Sequence, residues 1–341
     1  MNKSKEKTHF IGVDISKDTL DLALYVEASY PNFIDLKVTN EIKGFKQIIK
    51  WLKSHKIALN DCFICMEHTG TYGLLLLAWL NHLEVEACVE PGLHIKRSLG
   101  LTRGKNDKID ARRIADYAFC HRTKLKPFKI PSQLVLKIKQ LLTYREQQVK
   151  IRSSLKNSRK SHQQYNALTK QDDITKLIDR QIKGLDKIIL NVEQQIKTLI
   201  KQDTSVKKNA DLVESVKGIG LVTAAFMLVT TNNFTSFENG RKYACYCGIA
   251  PFEHQSGSSI KGRTKVSHMG NKHLKKILAN GANSASMYDK ELRAYYQRKL
   301  KEGKDHKLII NAICCKLVNR AFAVVKRQTP FVEIYQHGLS K

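Results

Sequence analysis

HFIGVDISKDTLDLALY, residues 9–25, holds two short apolar runs, HFIGVD and TLDLALY, joined by a tight ISKD turn. Two strand-length runs separated by polar turn residues read as a β-hairpin. Asp14 then ends the first strand, on the far side of a run that is otherwise apolar. Working outward, a third strand is expected near Ile34–Val38, and Phe45, Ile48, Ile49 and Leu52 repeat at helical spacing within Gly44–Leu52. DCFICME then gives a fourth strand, Cys62 to Glu67, with a second acid at its end. A helix over Tyr72–Leu83, a strand over Val85–Val89 and a basic loop follow, and the loop leads into KNDKIDARRIADYAFCHR, which has helical composition.

Three hairpin strands followed by alternating strands and helices is the order of ribonuclease H-like α/β folds. In that order an acid ends the first strand, another ends the fourth, and the last acids lie on a following helix. Asp14, Glu67, Asp107 and Asp110 occupy those places, and Asp107 and Asp110, three residues apart, share a helix face. Read singly, Asp14 is a turn cap, Glu67 a helix cap, and the paired aspartates a solvated face. Read together, they form a carboxylate cluster, two of whose members, Asp14 and Glu67, end apolar strands, where an unpartnered charge is costly. Hard oxygen donors suit Mg²⁺, and two such ions stabilise both the attacking and the leaving oxygen of a phosphoryl transfer. Asp18, Asp21 and Asp116 are read as ordinary surface acids.

The remaining composition bears on the partner. The chain has 341 residues, 42% of them hydrophobic, enough for two or three globular domains. Its 59 Lys and Arg against 31 Asp and Glu leave a net charge of +28, which attracts polyanions and makes nucleic acid the leading partner. No apolar run approaches the roughly 18 residues of a membrane span, and MNKSKEKTHF has no signal-peptide apolar region, so a cytoplasmic protein with no membrane role is expected. The eight cysteines include Cys62 and Cys65 as a CxxC, but a strand sends positions i and i+3 to opposite faces, so buried free thiols are expected rather than a zinc site.

Between Gly92 and Lys129 there are 11 Lys or Arg and three Asp. Lys96, Arg97, Arg103, Lys105, Lys108, Arg112 and Arg113 are read as a phosphate track beside the acids. From Ser132 to Lys201 there is no proline and one glycine, Gly184, which predicts long helices. Ile178, Ile182, Leu185, Ile189, Val192, Ile196 and Leu199 form a heptad seam that pairs either with the helix around Leu134–Leu155 or with another protomer. Lys150, Arg152, Lys156, Arg159, Lys160 and His162 are read as the outer face of this arm.

In the last third, LVESVKGIGLVTAAFMLV places Gly218 and Gly220 between two apolar helical runs. This is the pattern of a helix-hairpin-helix, whose turn offers backbone N–H groups to a phosphate; it is also the pattern of a plain helix connector. Residues 237–278 follow with five glycines and a basic run, read as a loop that ends in a helix. Ser256 lies within it, with Lys261, Arg263 and Lys265 close in sequence; a serine in a Gly-Ser loop is by itself a turn residue.

Together these motifs resemble the DEDD transposases of bacterial insertion sequences, the RNA-guided one-ten group that includes the Piv-type DNA invertases. GVDISKDTLDLAL resembles the first acid motif, MEHTGTYG the second and KNDKIDARRIA the paired-aspartate helix. FENGRKYACYCGIAPFEHQSG and MGNKHLKK resemble the C-terminal transposase domain, with His268 where the family usually has Lys or Arg, and Lys275 and Lys276 where Arg is common. The resemblance implies a RuvC-like DEDD domain over residues 1–130, a helical coiled-coil arm over 131–206, and a mainly helical transposase domain over 207–341. It implies that Asp14, Glu67, Asp107 and Asp110 bind one or two Mg²⁺ ions, with Mn²⁺ as a substitute, and that Ser256 forms a covalent bond to DNA. It further implies a homodimer or homotetramer, in which the acids of one subunit complete the C-terminal domain of another. A structured noncoding RNA that pairs with donor and target DNA is the implied guide. The rivals are a metal-dependent junction nuclease that attacks with water, and a nucleic-acid-binding protein without enzymatic activity.

Overall fold

The computed structural model describes residues 7–26, 33–68, 70–100, 104, 106–169, 172–256 and 260–332, and at 166, 167, 169, 254–256, 260, 261 and 263 the backbone alone. The chain divides into two compact units, Met1–Ile130 and Pro131–Lys341.

The first unit is built on strands β1 (His9–Ile15), β2 (Thr19–Tyr25) and β3 (Phe33–Thr39), helix α1 (Ile42–Ser54), strand β4 (Cys62–Glu67), helix α2 (Leu74–His82), strand β5 (Ala87–Glu90), and helices α3 (Gly92–Ser98) and α4 (Asp107–Cys120). The strands form one sheet in the order β3-β2-β1-β4-β5. The β1–β2 and β2–β3 pairs are antiparallel, and β4 and β5 run parallel to β1. Helix α3 lies within the stretch expected to be a basic loop; seven residues with a single buried apolar position, Ile95, leave no periodicity to read.

Alternation along the strands divides the sheet into two chemically different faces. Ile11, Val13 and Ile15 of β1, Leu20, Leu22 and Leu24 of β2, and Ile64 and Met66 of β4 pack with Phe45, Ile48 and Leu52 of α1 and Leu76, Leu77 and Leu80 of α2. The other face carries Phe10, Phe63, Cys65 and Cys88 against Ile114, Tyr117 and Ala118 of α4. Cys62 and Cys65 therefore belong to different cores, and both are free thiols.

Helix α4 lies close on this second face because the contact is made of small residues, Ala23 with Ala111 and Ala115. Gly12 of β1 is part of the same contact: a Cβ there would strike Ala111 O, Ala115 N and Ile114 C of the α4 backbone. At its far end Phe119 stacks on Tyr25, with ring centroids 4.4 Å apart.

The second unit holds α5 (Gln133–Thr169), α6 (Asp173–Ile200), α7 (Thr204–Glu214), α8 (Leu221–Thr230), α9 (Gly240–Tyr246), a hairpin of β6 (Pro251–Ser256) and β7 (Ile260–Val266), then α10 (Lys272–Tyr288), α11 (Lys290–Lys301) and α12 (His306–Arg327). Helices α5 and α6 form an antiparallel hairpin, with Ile178, Ile182, Ile189, Val192 and Ile196 of the seam buried. Three interhelical ion pairs run along it: Arg145 with Glu193, Arg152 with Asp186, and Arg159 with Asp179. Each arginine follows the previous one by seven residues and each acid precedes the previous one by seven, so the pairs recur on one stripe of both helices. Arg152 and Arg159 thus face the partner helix, not outward as their charge suggested.

At its base the hairpin shares a core with α7 and α8, in which Ile138, Leu142, Val192 and Ile196 meet Val206, Ala210, Ala225 and Leu228. A second core is organised on α12, whose Ile309, Ile313, Leu317, Val318, Ala321 and Val324 meet residues from α7 to α11. By length and composition α12 could cross a membrane. Lys316 and Arg320 interrupt its apolar run, so no span was expected from the sequence, and its apolar side chains line the core of this unit.

Candidate active site

All four acids lie on or beside the α4-covered face of the first unit's sheet. Asp14 shares its side of β1 with Phe10 and Gly12, and Glu67 shares its side of β4 with Phe63 and Cys65. Parallel pairing of β1 and β4 runs through Val13 and Met66, which brings the two C-terminal acids to neighbouring places on one edge. Asp107 and Asp110 occupy the first turn of α4, where Asn106 caps the helix by accepting from the Lys108 N–H at 2.9 Å. Acids at that end also complement the helix dipole. The close seat of α4 over Gly12 places this turn against the strand edge.

The acids act on one another electrically. Burial, and then the charges of Asp107, Asp110 and Glu67, push the Asp14 carboxyl from 3.8 up to about 6. Among the described residues no three His, Cys, Asp or Glu side chains stand in ligand geometry as placed. Asp110 is held instead by Arg113, Nη1 to Oδ1 at 3.0 Å. The donors are nevertheless all carboxylate oxygens, the set that a hard divalent cation takes, and a cation among them would relieve the repulsion that Asp14 registers.

A cleft of about 450 Å³ opens beside these residues, lined by Glu67, Gly92, Lys96, Asp110, Arg113 and apolar side chains of α3 and α4. Lys96 and Arg97 are exposed on α3. Lys108 and Arg112 are tied to Asp35 of β3: Lys108 Nζ lies 3.0 Å from Oδ2, and Arg112 Nε donates to Oδ1 at 2.9 Å. Burial works to raise the Asp35 carboxyl, but the hydrogen bonds from Arg112 and Lys108 outweigh it and hold it below its ordinary value. Three cations of the expected phosphate track therefore already have acidic partners. Arg103 and Lys105 lie outside the described residues.

Asp21, read from sequence as an ordinary surface acid, is 9% exposed and sits directly across the β1–β2 ladder from Asp14. Its partner is Lys37 of β3 at 3.0 Å. The Asp21 hydrogen bond holds the Lys37 ammonium above its ordinary range, and Asp107 and Asp14 add to the effect, so this lysine belongs to the electrostatics of the site. Hairpin register carries the signal that would have found Asp21; sequence spacing alone does not. Gly12 was missed as well, because its role depends on a helix a hundred residues away.

In the second unit Ser256 ends β6, and its backbone pairs with Ile260 of β7. The segment read as a loop is thus a short helix followed by a hairpin; its polar strands have no apolar alternation to betray them. The hairpin is closed at its base where Gly248, at φ +68°, meets Gly270 backbone to backbone, and where Asn271 N–H donates to Tyr246 O at 2.9 Å. Lys265 is exposed on β7, while the side chains of Ser256, Lys261 and Arg263 lie outside the described ones. Gly220 is the exposed N-cap of α8. Gly218, at φ +94°, packs on Gly281 of α10, where a Cβ would come within 2.6 Å of the Gly281 carbonyl.

Known proteins resemble both units. A transposase family model, that of the IS110 DEDD transposases, matches residues 11–165, and the model of the IS116/IS110/IS902 transposase family matches residues 210–297. The first span contains the four acids and the second contains Ser256. The pilin gene-inverting protein of Moraxella bovis is 30% identical over 332 residues, covering 94% of this chain and 97% of that protein. Its counterpart in Moraxella lacunata is 29% identical over the same shares. An insertion element IS110 protein of Streptomyces coelicolor is 32% identical over 118 residues, 35% of this chain and 29% of that protein. Matches on both units, together with a near-full-length match to a DNA-inverting relative, place the chain in the IS110 family of transposases, enzymes that rearrange DNA.

Proposed function

We propose that this protein cuts and rejoins DNA strands with a divalent metal, Mg²⁺ in the first place, held by Asp14, Glu67, Asp107 and Asp110 of a RuvC-like domain, and with Ser256 as the nucleophile. The observation that carries the reading is that parallel pairing of β1 with β4 and the first turn of α4 bring four carboxylates to one edge of the sheet, where burial and then the charges of Asp107, Asp110 and Glu67 raise the Asp14 pKa to about 6. The strand order β3-β2-β1-β4-β5, antiparallel then parallel, supports the ribonuclease H-like assignment. Bound there, the metal supplies electrostatic stabilisation of the charge that develops on a transferring phosphoryl group. The chain's own residues orient the cluster: Gly12 seats α4, Asn106 caps it, and Arg113 holds Asp110.

Ser256 Oγ would attack the phosphorus and the 3′ or 5′ oxygen would leave, so the phosphodiester energy is kept in a serine ester and returned on rejoining. Donor and target DNA are the substrates, and a structured noncoding RNA is the guide in this reading, which the net charge of +28 favours. The helix connector at Gly218 and Gly220, with Lys96, Arg97 and Lys265, supplies phosphate contacts in the same reading. A multimer, dimer or tetramer, joins the acids of one copy to the serine of another.

The test is co-expression of the native locus with a target plasmid, followed by digestion of the protein and mass spectrometry of the Ser256 peptide. A nucleotide adduct that disappears in Asp14→Ala is the expected result. DNA cleavage at the wild-type level by Ser256→Ala would overturn the serine assignment in favour of attack by water, and full strand exchange by Asp14→Ala would overturn the metal site.

A further inference from the structure

Gly92 opens α3, two residues past the end of a ladder in which Glu67 of β4 faces Glu90 of β5. The Glu67 carboxylate lies over its Cα. A Cβ at Gly92 would clash with Oε1 and lie 2.6 Å from Cδ and 3.2 Å from Oε2 of that side chain. Nothing in the backbone asks for glycine here, because Gly92 is absent from the positive-φ positions. The group that excludes a methyl at this position is a candidate catalytic carboxylate.

We infer that Gly92 is a positioning residue for Glu67: its missing side chain reserves the space in which the carboxylate turns into the cleft shared with Asp110, Lys96 and Arg113. This rests on the reading of Glu67 as a member of the metal site. The atoms that would have to yield to a methyl group are the far end of a flexible side chain, not backbone. A methyl at residue 92 therefore leaves the fold in place and moves the carboxylate, by a distance on the order of 1 Å. A misplacement of that size at a reacting centre costs about 10²-fold in rate.

The experiment uses the full-length protein with four variants: Gly92→Ala, Glu67→Asp, the two combined, and Glu67→Ala. Strand cleavage is measured alongside Mn²⁺ affinity by electron paramagnetic resonance and the thermal midpoint. Gly92→Ala is expected to keep its thermal midpoint and its DNA affinity, to lose about 10²-fold in cleavage, and to bind Mn²⁺ about tenfold more weakly. Glu67→Asp draws the carboxylate back by one methylene and so makes room for the methyl. The double variant should therefore be more active, and bind Mn²⁺ more tightly, than the product of the single effects. If Gly92→Ala lowers the thermal midpoint, Glu67→Asp should restore it.

Wild-type cleavage and Mn²⁺ binding in Gly92→Ala would overturn the inference. So would single effects that multiply without coupling, or a lowered midpoint that the second change fails to restore. Wild-type activity in Glu67→Ala would instead remove the metal-site reading on which the inference stands, so the two failures are told apart.

Discussion

Asp14 shows what a single residue contributes. Its folded-state pKa of about 6 lies above the ordinary 3.8, so between those values the folded protein holds a proton that the unfolded chain has lost. Stability therefore falls as pH rises through that window, and the ionised carboxylate remains a cost above it. We predict that Asp14→Asn stabilises the metal-free protein at pH 7 by about 1 kcal/mol, once solvent screening of a half-exposed group is allowed for. Chemical denaturation with a chelator present checks this. Mg²⁺ should raise the wild-type midpoint and leave that of Asp14→Asn unchanged; equal responses would show that the cation does not bind at this carboxylate. Asp14 and Glu67 were legible because each ends an apolar strand. Asp21, two strand positions before Ala23, was not, because its neighbour across the ladder is set by the hairpin register.

At the scale of elements, the seat of α4 on β1 is the contact on which the site depends. Gly12→Ala drives a methyl into the α4 backbone, and backbone cannot turn aside as a side chain can. Overpacking of this kind costs about 3 kcal/mol or more. The two tryptophans, Trp51 and Trp79, both lie in the first unit, so their fluorescence follows this loss without a signal from the second. The α5–α6 hairpin should behave differently. Its ion pairs are open to solvent, so Arg152→Ala should cost less than about 1 kcal/mol, whereas reversing Arg152 alone to Asp faces Asp186 with a like charge, and adding Asp186→Arg should recover the loss. In the second unit Asp289 is 1% exposed, caps α11 through Leu292 N–H and holds Arg320 at 2.8 Å. Asp289→Ala removes the cap and strands a largely buried guanidinium. Circular dichroism melts should register a loss of about 3 kcal/mol, and a loss under 1 kcal/mol would show that Glu291 alone suffices for Arg320.

Across the whole molecule the governing quantity is charge. With 59 basic residues against 31 acidic ones, binding to DNA should be dominated by counterion release. If about eight phosphates are engaged, affinity should fall by roughly 10³- to 10⁵-fold between 50 and 200 mM salt. A flat salt response in a filter-binding titration would refute a phosphate-led interface. Lys108, Arg112 and Arg113 should contribute less to that slope than their charges suggest, because Asp35 and Asp110 already neutralise them. Lys96, exposed at the cleft, should contribute a full share.

Sequence by itself determined what depends on near neighbours along the chain. Apolar runs closed by an acid marked β1 and β4, and three-residue spacing put Asp107 and Asp110 on one helical turn. Heptad spacing buried Ile178, Ile182, Ile189, Val192 and Ile196, and the motifs carried the family. Only the tertiary structure decided what depends on atoms distant in sequence: that Gly12 and Gly92 are spaces occupied by Ala111 and Glu67, that Asp21 faces Asp14, and that Arg152 and Arg159 turn toward acids on α6. Backbone propensity and side-chain periodicity act over a few residues, so they can be read along the chain. Close packing and charge pairing act through space, so they exist only once the chain has folded.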